Sequence, residues 1–172
     1  MSAQRAIVMV LLVWVALIAL SSLQALSPWR LPTPEVALLV VLYLGLGGRG
    51  TAPTHVAVAL VLGYLVDLFA GSPKGLSSLT LGIAMVLARA ASSRLDVATP
   101  WHTIVIALAA TAAHGIVLIA ISSSLYAGDA PSALRLVPTT AVATALLAPW
   151  AFVLLQRVDR RLTPDPRALR MS

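Results

Sequence analysis

The sequence places two ionisable side chains, Asp67 and His114, inside apolar segments. Such groups are functional candidates, because burying a charge is costly. His114 could be a neutral imidazole that hydrogen-bonds between helices, or it could relay protons or contact a ligand. Asp67 lies in the last turn of its segment, where a helix dipole disfavours a carboxylate, so we expect a cationic partner for it. Lys74 or Arg135 could form a turn-fixing ion pair with Asp67, and a role in recognising a partner or ligand is the alternative.

Motifs for catalysis and cofactor binding give little support to an enzyme. The run Gly45 to Gly50 fits G-x-G-x-x-G, but no strand precedes it and no βαβ pattern surrounds it, so we interpret the glycines as a loop. The three histidines are too far apart to share a helix face, His55 is expected at a membrane interface, and no H-E-x-x-H or G-x-S-x-G occurs. Cysteine is absent, which excludes thiolate metal sites. We therefore expect no catalysis, cofactor or metal.

The composition is that of a membrane protein. Of the 172 residues, 59% are apolar and 10% are charged, whereas soluble domains have about 45 to 50% apolar and about 25% charged residues. The mean hydropathy is +0.94. These values exclude a disordered chain and a conventional soluble enzyme domain.

Six apolar segments predict an all-α polytopic membrane protein. They are Ala6–Leu26, Pro34–Leu46, Ala52–Ala70, Leu76–Ala91, Trp101–Tyr126 and Leu136–Leu155. The first is about 31 Å long as a helix and is interpreted as an uncleaved anchor. The second is short and is the weakest span, with Thr33 expected as its N-cap and Pro34 as its first residue. We predict a membrane domain over residues 1–155 and a basic cytoplasmic tail over 156–172.

The basic residues predict the orientation of these spans. With six spans and the N-terminus inside, three basic residues are external: Arg30, Lys74 and Arg135. The other nine are cytoplasmic: Arg5, Arg49, Arg89, Arg94, Arg157, Arg160, Arg161, Arg167 and Arg170. This bias follows the positive-inside rule and explains the isoelectric point of about 11.1 without a nucleic-acid partner. If the second segment does not cross and the N-terminus is outside, the count is unchanged, so charge leaves both topologies open.

Small residues recur at four-residue spacing in several segments. Gly63 precedes Asp67 by four positions and Ala59 precedes Gly63 by four, which gives the third segment a narrow face. The pairs Ala84 with Ala88 and Ala109 with Ala113 repeat the spacing. We expect these faces to pack against other helices of the same chain.

One stretch of the sequence resembles the bacterial rod shape-determining MreD family. It combines a Gly-x-x-x-Asp helix end, a Gly-Ser-Pro-x-Gly turn and a following apolar helix, together with a proline and an acid before the second segment. The residues that carry the resemblance are Gly63, Asp67, Gly71, Pro73, Lys74, Gly75, Pro32 and Glu35.

The resemblance implies a six-span protein of the bacterial inner membrane with both termini in the cytoplasm. It implies a fold similar to the substrate-binding S-components of energy-coupling-factor transporters. It also implies a non-catalytic scaffold role in cell elongation: MreC is the main partner, MreB, RodA and a penicillin-binding transpeptidase belong to the same machinery, and membrane lipids surround it. The alternative is a substrate-capturing subunit of a vitamin transporter, which would need an external pocket lined by polar and aromatic groups.

Overall fold

The described part of the chain is helical throughout. The computed structural model describes residues 3–26, 34–47, 52–70, 74–92, 100–125 and 130–162. These contain six α-helices and no strand. The helices are α1 (Ala3–Leu26), α2 (Val36–Gly47), α3 (Ala52–Ala70), α4 (Leu76–Ala91), α5 (Pro100–Leu125) and α6 (Ala130–Leu162).

The apolar segments predicted most helix bounds closely, because proline and glycine end apolar runs. The third and fourth segments coincide with α3 and α4. The largest difference is α6, which extends the predicted sixth segment at both ends and includes Pro138 and Pro149. The predicted sixth segment ends at Leu155, whereas the helix continues to Leu162.

Two smaller predictions about α2 are also wrong. Gly45 and Gly47 belong to the helix and not to a loop. Pro34 precedes the helix, and Glu35 is its cap, since the Glu35 carbonyl accepts the hydrogen bond of the Leu39 N–H at 3.1 Å. Thr33 lies outside the described residues.

Helix α2 is the centre of the bundle and contacts each of the other five helices. Residues Ala37 to Gly45 are all buried. A helix that is apolar on all sides is expected to be enclosed by protein or lipid. The rest of the core includes Met9 and Val13 of α1 and Leu62 of α3, which cluster with α2.

Contacts between the helices show an alternating arrangement. Asp67 at the end of α3 meets Gly75 at the start of α4, so these two helices are antiparallel. Gly45 near the end of α2 approaches Ala88 near the end of α4, so α2 and α4 run in the same direction. We call the end of the bundle that holds Gly75 the turn end and the opposite end the far end.

Within the described residues, three helices are long and apolar enough to span a membrane, as expected for a membrane protein. The candidate spans are Pro53–Ala70, Trp101–Ser124 and Leu134–Arg161. Helix α2 has 12 residues and α4 has 16, or about 18 and 24 Å, against a hydrocarbon core of about 30 Å. The start of α2 lies beside the middle of α5, since Glu35 contacts His114 there.

Candidate functional site

The carboxylate of Asp67 caps the start of α4. Its Oδ2 accepts the N–H of Gly75 at 2.8 Å and its Oδ1 accepts the N–H of Ser77 at 3.0 Å. N–H groups at a helix start have no partner within the helix, and the positive end of the dipole favours an anion. These bonds explain how the carboxylate of Asp67 is stabilised although the residue is only 1% exposed. The prediction of Lys74 as the partner is wrong, because Lys74 is exposed and no ion pair joins it to Asp67 among the described residues.

Two glycines allow this capping geometry. A Cβ on Gly63 would lie 2.6 Å from the Ser77 carbonyl carbon and would overlap the Ser78 backbone, so only glycine permits this approach of α3 to α4. Gly75 has φ of 97°, a left-handed conformation in which a side chain is strained. The small face of α3 therefore packs inside the protein, as predicted. Ala109 and Ala113, in contrast, are exposed on α5.

His114 joins two other helices through both ring nitrogens. Nδ1 lies 2.9 Å from Oε2 of Glu35, and Nε2 lies 3.0 Å from Oγ1 of Thr80. The imidazole is 8% exposed and the Glu35 side chain 27%. His114 is therefore a buried link between α5, the start of α2 and α4.

Two protonation states fit these positions. The Thr80 hydroxyl lies within hydrogen-bond distance of two carbonyl oxygens of its own helix, those of Leu76 and Ser77. If it donates to one of them, Nε2 must donate to Thr80, and a second proton lies between Nδ1 and Oε2 of Glu35, on the ring or on the carboxyl group. If it donates to Nε2, the ring is neutral and Nδ1 donates to the Glu35 carboxylate.

The hydrogen bonds form one continuous chain across five helices. The Glu35 N–H donates to Oγ1 of Thr144 on α6 at 3.0 Å. Thr80 leads from His114 to Ser77, whose N–H donates to Asp67 on α3. Asp67 and His114, which the sequence offered as separate candidates, thus belong to one polar network.

A cavity of about 230 Å³ lies beside this network, toward the turn end. Residues from five helices line it, including Leu17, Leu20, Ser21, Glu35, Phe69, Ser77, His114 and Leu118. Its walls are mainly aliphatic, and Glu35 and His114 are the ionisable groups among its lining residues. It has the composition of a small binding site, in which a few polar groups orient a ligand in apolar surroundings.

An apolar groove of about 250 Å³ separates α4 from α5. Its α4 side includes Ile83, Ala84 and Leu87, its α5 side includes Ile106, Ala110 and Ala113, and Leu42 and Leu46 of α2 form its base. Thr80 and His114 also line it, so their hydrogen bond connects the two sides. We call this surface the α4–α5 groove.

A second group of polar side chains lies at the far end. Arg89 Nη1 donates to Nδ1 of His55 at 3.1 Å, which links α4 to α3. Tyr43 Oη donates to Oδ2 of Asp159 at 3.2 Å, which links α2 to α6. His55, which the sequence predicts at a membrane interface, lies near the start of α3 and is fully buried within the protein.

The structure brings some of the sequence candidates together and leaves others out of contact. Asp67, Gly63 and Gly75 form the α3–α4 junction, Glu35 pairs with His114, and Lys74 is exposed. Pro32, Gly71 and Pro73 lie outside the described residues, as does the tail beyond residue 162.

Sequence reasoning missed Ser77, Thr80 and Thr144. Hydroxyl side chains inside apolar segments bond either across helices or to their own helix. Their presence was a signal, but their partners could not be deduced from it.

No protein-family model, curated protein or solved structure matches this chain. Inference about its function therefore depends on its residues and on the geometry described above.

Proposed function

We propose that this chain is a non-catalytic docking protein of the bacterial cytoplasmic membrane, a member of the MreD family that binds MreC. In this role it helps to regulate lateral peptidoglycan synthesis and rod shape, in a machinery that includes MreB, RodA and a penicillin-binding transpeptidase. The observation that carries the proposal is the α4–α5 groove, which we assign to the membrane helix of MreC.

The groove has properties that suit a transmembrane helix. Between helices in lipid, association depends on close packing and on a few hydrogen bonds, because lipid tails are as apolar as leucine. Both sides of the groove include small side chains, which are those of Ala84, Ala110 and Ala113. Small residues of this kind let a partner backbone approach closely.

The contact between α3 and the start of α4 supports the proposal, because Lys74 lies next to it along the chain. Asp67 holds the start of α4 through two backbone hydrogen bonds, and Gly63 holds the two helices in backbone contact. Lys74 directly precedes Gly75, whose N–H donates to Asp67, and its side chain is exposed. We assign Lys74 to contact with the segment of MreC that adjoins its membrane helix.

The proposal includes six membrane crossings, both termini in the cytoplasm and a fold similar to transporter S-components. The alternating directions of α2, α3 and α4 support it, because such alternation is what successive membrane crossings require. Under this topology the turn end faces outward and Arg157, Arg160 and Arg161 of α6 face the cytoplasm, as the positive-inside rule requires.

Site-directed cross-linking tests the groove directly, because the chain contains no cysteine. Leu87 and Val86 are adjacent on α4 and similarly exposed, at 62% and 55%, but only Leu87 lines the groove. In membranes that also contain MreC with one cysteine in its membrane helix, we expect Leu87→Cys to form a disulfide-linked complex and Val86→Cys to form little.

A second pair of variants tests whether filling the groove displaces the partner. Ala113 lines the groove, whereas Ala109, one turn earlier on α5, is exposed outside its lining. We expect Ala113→Trp to reduce co-purification of MreC at least tenfold and Ala109→Trp to leave it unchanged. Equal cross-linking at Leu87 and Val86, together with normal binding by Ala113→Trp, would exclude the groove as the docking surface.

The alternative of a vitamin-capturing transporter subunit has partial support from the cavity. Glu35 and His114 are suitable polar groups, but among the described lining residues Phe69 is the single phenylalanine, tyrosine or tryptophan. Retention of a vitamin by the purified protein, with no binding of MreC, would favour the alternative over the docking role.

A further inference from the structure

We propose that the cavity between Glu35 and the turn end binds a small amphiphile through a primary ammonium group. Glu35 accepts the ammonium hydrogen bond, His114 holds Glu35 in position, and the aliphatic walls take the apolar part of the ligand. This inference goes beyond the docking role and does not depend on it, since the lining of the cavity shares only His114 with that of the α4–α5 groove.

The hydrogen bonds of Glu35 leave one carboxylate oxygen for a ligand. Oε2 is taken by His114, whereas Oε1 accepts no hydrogen bond from the described residues. The side chain lines the cavity and is 27% exposed. A carboxylate oxygen in apolar surroundings is strongly stabilised by a cationic donor, because the interaction is screened less than in water.

The charges that face the cavity favour a cation over an anion. Asp67 of α3 is nearby but is satisfied by two backbone N–H groups at the start of α4. Among the described lining residues there is no lysine or arginine, and Ser21 is the polar residue that α1 contributes. The Glu35–His114 pair is anionic when it holds one proton and uncharged when it holds two, and in neither state is it positive.

The size of the cavity limits the ligand. A volume of about 230 Å³ lies below the range of about 300 to 1,000 Å³ for drug-sized ligands. Leu17, Leu20 and Leu118 lie toward the turn end and would contact an alkyl chain. Both a short soluble amine and the headgroup of an aminolipid have this ammonium chemistry.

The test uses the full chain in a non-ionic detergent with hexylammonium, hexanol and hexanoate as matched probes. A ligand that binds the native state raises the unfolding temperature in a saturable way. We expect hexylammonium to do so, with at least tenfold weaker effects of hexanol and hexanoate at equal concentration. An equal response to all three probes would overturn the proposal, because it would show partitioning without ammonium recognition.

Three variants locate the effect. Glu35→Gln keeps the shape of the side chain and removes its charge, and Leu20→Trp fills the cavity without touching the pair. Ile18→Trp is the matched control, because Ile18 is exposed on the same helix and does not line the cavity. We expect the hexylammonium response to be lost in the first two variants and kept in the control. If Glu35→Gln does not fold, Leu20→Trp decides, and a full response in Leu20→Trp would overturn the proposal.

Native mass spectrometry of protein extracted from membranes distinguishes the two sources of the ammonium group. Phosphatidylethanolamine retained by the wild type and Ile18→Trp, but not by Leu20→Trp, would identify a lipid headgroup. A hexylammonium response without retained aminolipid would identify a soluble amine. Either result supports the site, whereas the absence of both the response and the lipid contradicts it.

Discussion

Helix α4 has a different relation to each of the two helices beside it, α3 and α5. Toward α3 the contact is closed: Gly63 meets the backbone of Ser77 and Ser78, and Asp67 binds the start of α4. Toward α5 the contact is open: the groove separates the two helices, and Thr80 bonds to His114 across it. The closed contact is structural, and the open one leaves a surface for a partner.

The difference shows what closes a helix pair in a membrane. Apolar area gives little drive for association in lipid, so close backbone approach and hydrogen bonds must supply it. The α3–α4 contact has both, because a glycine lies where the helices meet and a carboxylate lies where the N–H groups of α4 need an acceptor. The α4–α5 contact has a hydrogen bond between side chains and alanines on both sides of the groove. It has no glycine at which the two backbones come into contact.

The largest expected effect comes from blocking the closed contact. Gly63→Ala places a Cβ against the Ser77 and Ser78 backbone, which must move apart, at a cost of about 3 kcal/mol. The free energy of unfolding in mixed micelles measures it. Gly47→Ala is the control, since a Cβ there meets nothing within 4 Å. Equal stability of the two variants would show that α3 and α4 are not in backbone contact.

Removing the cap of α4 should have the next largest effect. Asp67→Ala leaves the N–H groups of Gly75 and Ser77 without their acceptors, which we expect to lower the free energy of unfolding by about 2 kcal/mol. Asp67→Asn should be intermediate, because its carbonyl oxygen can still accept a hydrogen bond. The capping role would be contradicted if Asp67→Ala lowered the free energy of unfolding no more than a substitution at an exposed residue does.

A smaller effect is expected from the bond across the open contact. Thr80→Val preserves the side-chain shape and removes the hydroxyl that faces His114. We expect a loss of about 0.6 kcal/mol, the average for hydrogen bonds between membrane helices. The same unfolding measurement checks it, with Thr139→Val as the control, because the exposed Thr139 hydroxyl bonds within its own helix. A loss above 2 kcal/mol would show that α4 and α5 are joined more firmly than the groove suggests.

The smallest change in stability is expected for Lys74→Ala. Lys74 is exposed, so the free energy of unfolding should change by less than about 0.5 kcal/mol. Co-purification of MreC should nevertheless fall if the turn contacts this partner. Unchanged binding of MreC would show that Lys74 is not part of the proposed interface. The assignment of the groove would be unaffected, because the cross-linking experiment tests it separately.

Much of the helical architecture was predictable from local sequence. Pro73 and Gly75 separate two apolar runs, and those runs became α3 and α4 with the predicted bounds. The four-residue spacing of Ala59, Gly63 and Asp67 also predicted one face of α3 correctly. Prediction was poorer for α6, where Pro138 and Pro149 remain inside the helix.

The partners of the polar groups were not predictable in the same way. Lys74 was the nearest cation to Asp67 along the chain. The carboxylate instead accepts hydrogen bonds from two backbone N–H groups, and the sequence does not show which N–H groups lack an acceptor. His114 and Glu35 are 79 positions apart, and Glu35 and Thr144 are 109 apart. Their pairing depends on how α2, α5 and α6 pack.

By itself the sequence determined that this chain consists of apolar helices, where most of them begin and end, and which of their faces are small. These properties are local, since they follow from hydropathy, turn chemistry and four-residue periodicity. The tertiary structure alone decided that Asp67 caps α4, that Glu35 meets His114 beside a cavity, and that α4 stays apart from α5. The reason is that a buried polar group bonds to whichever donor or acceptor the packed helices bring to it, whatever their separation along the chain.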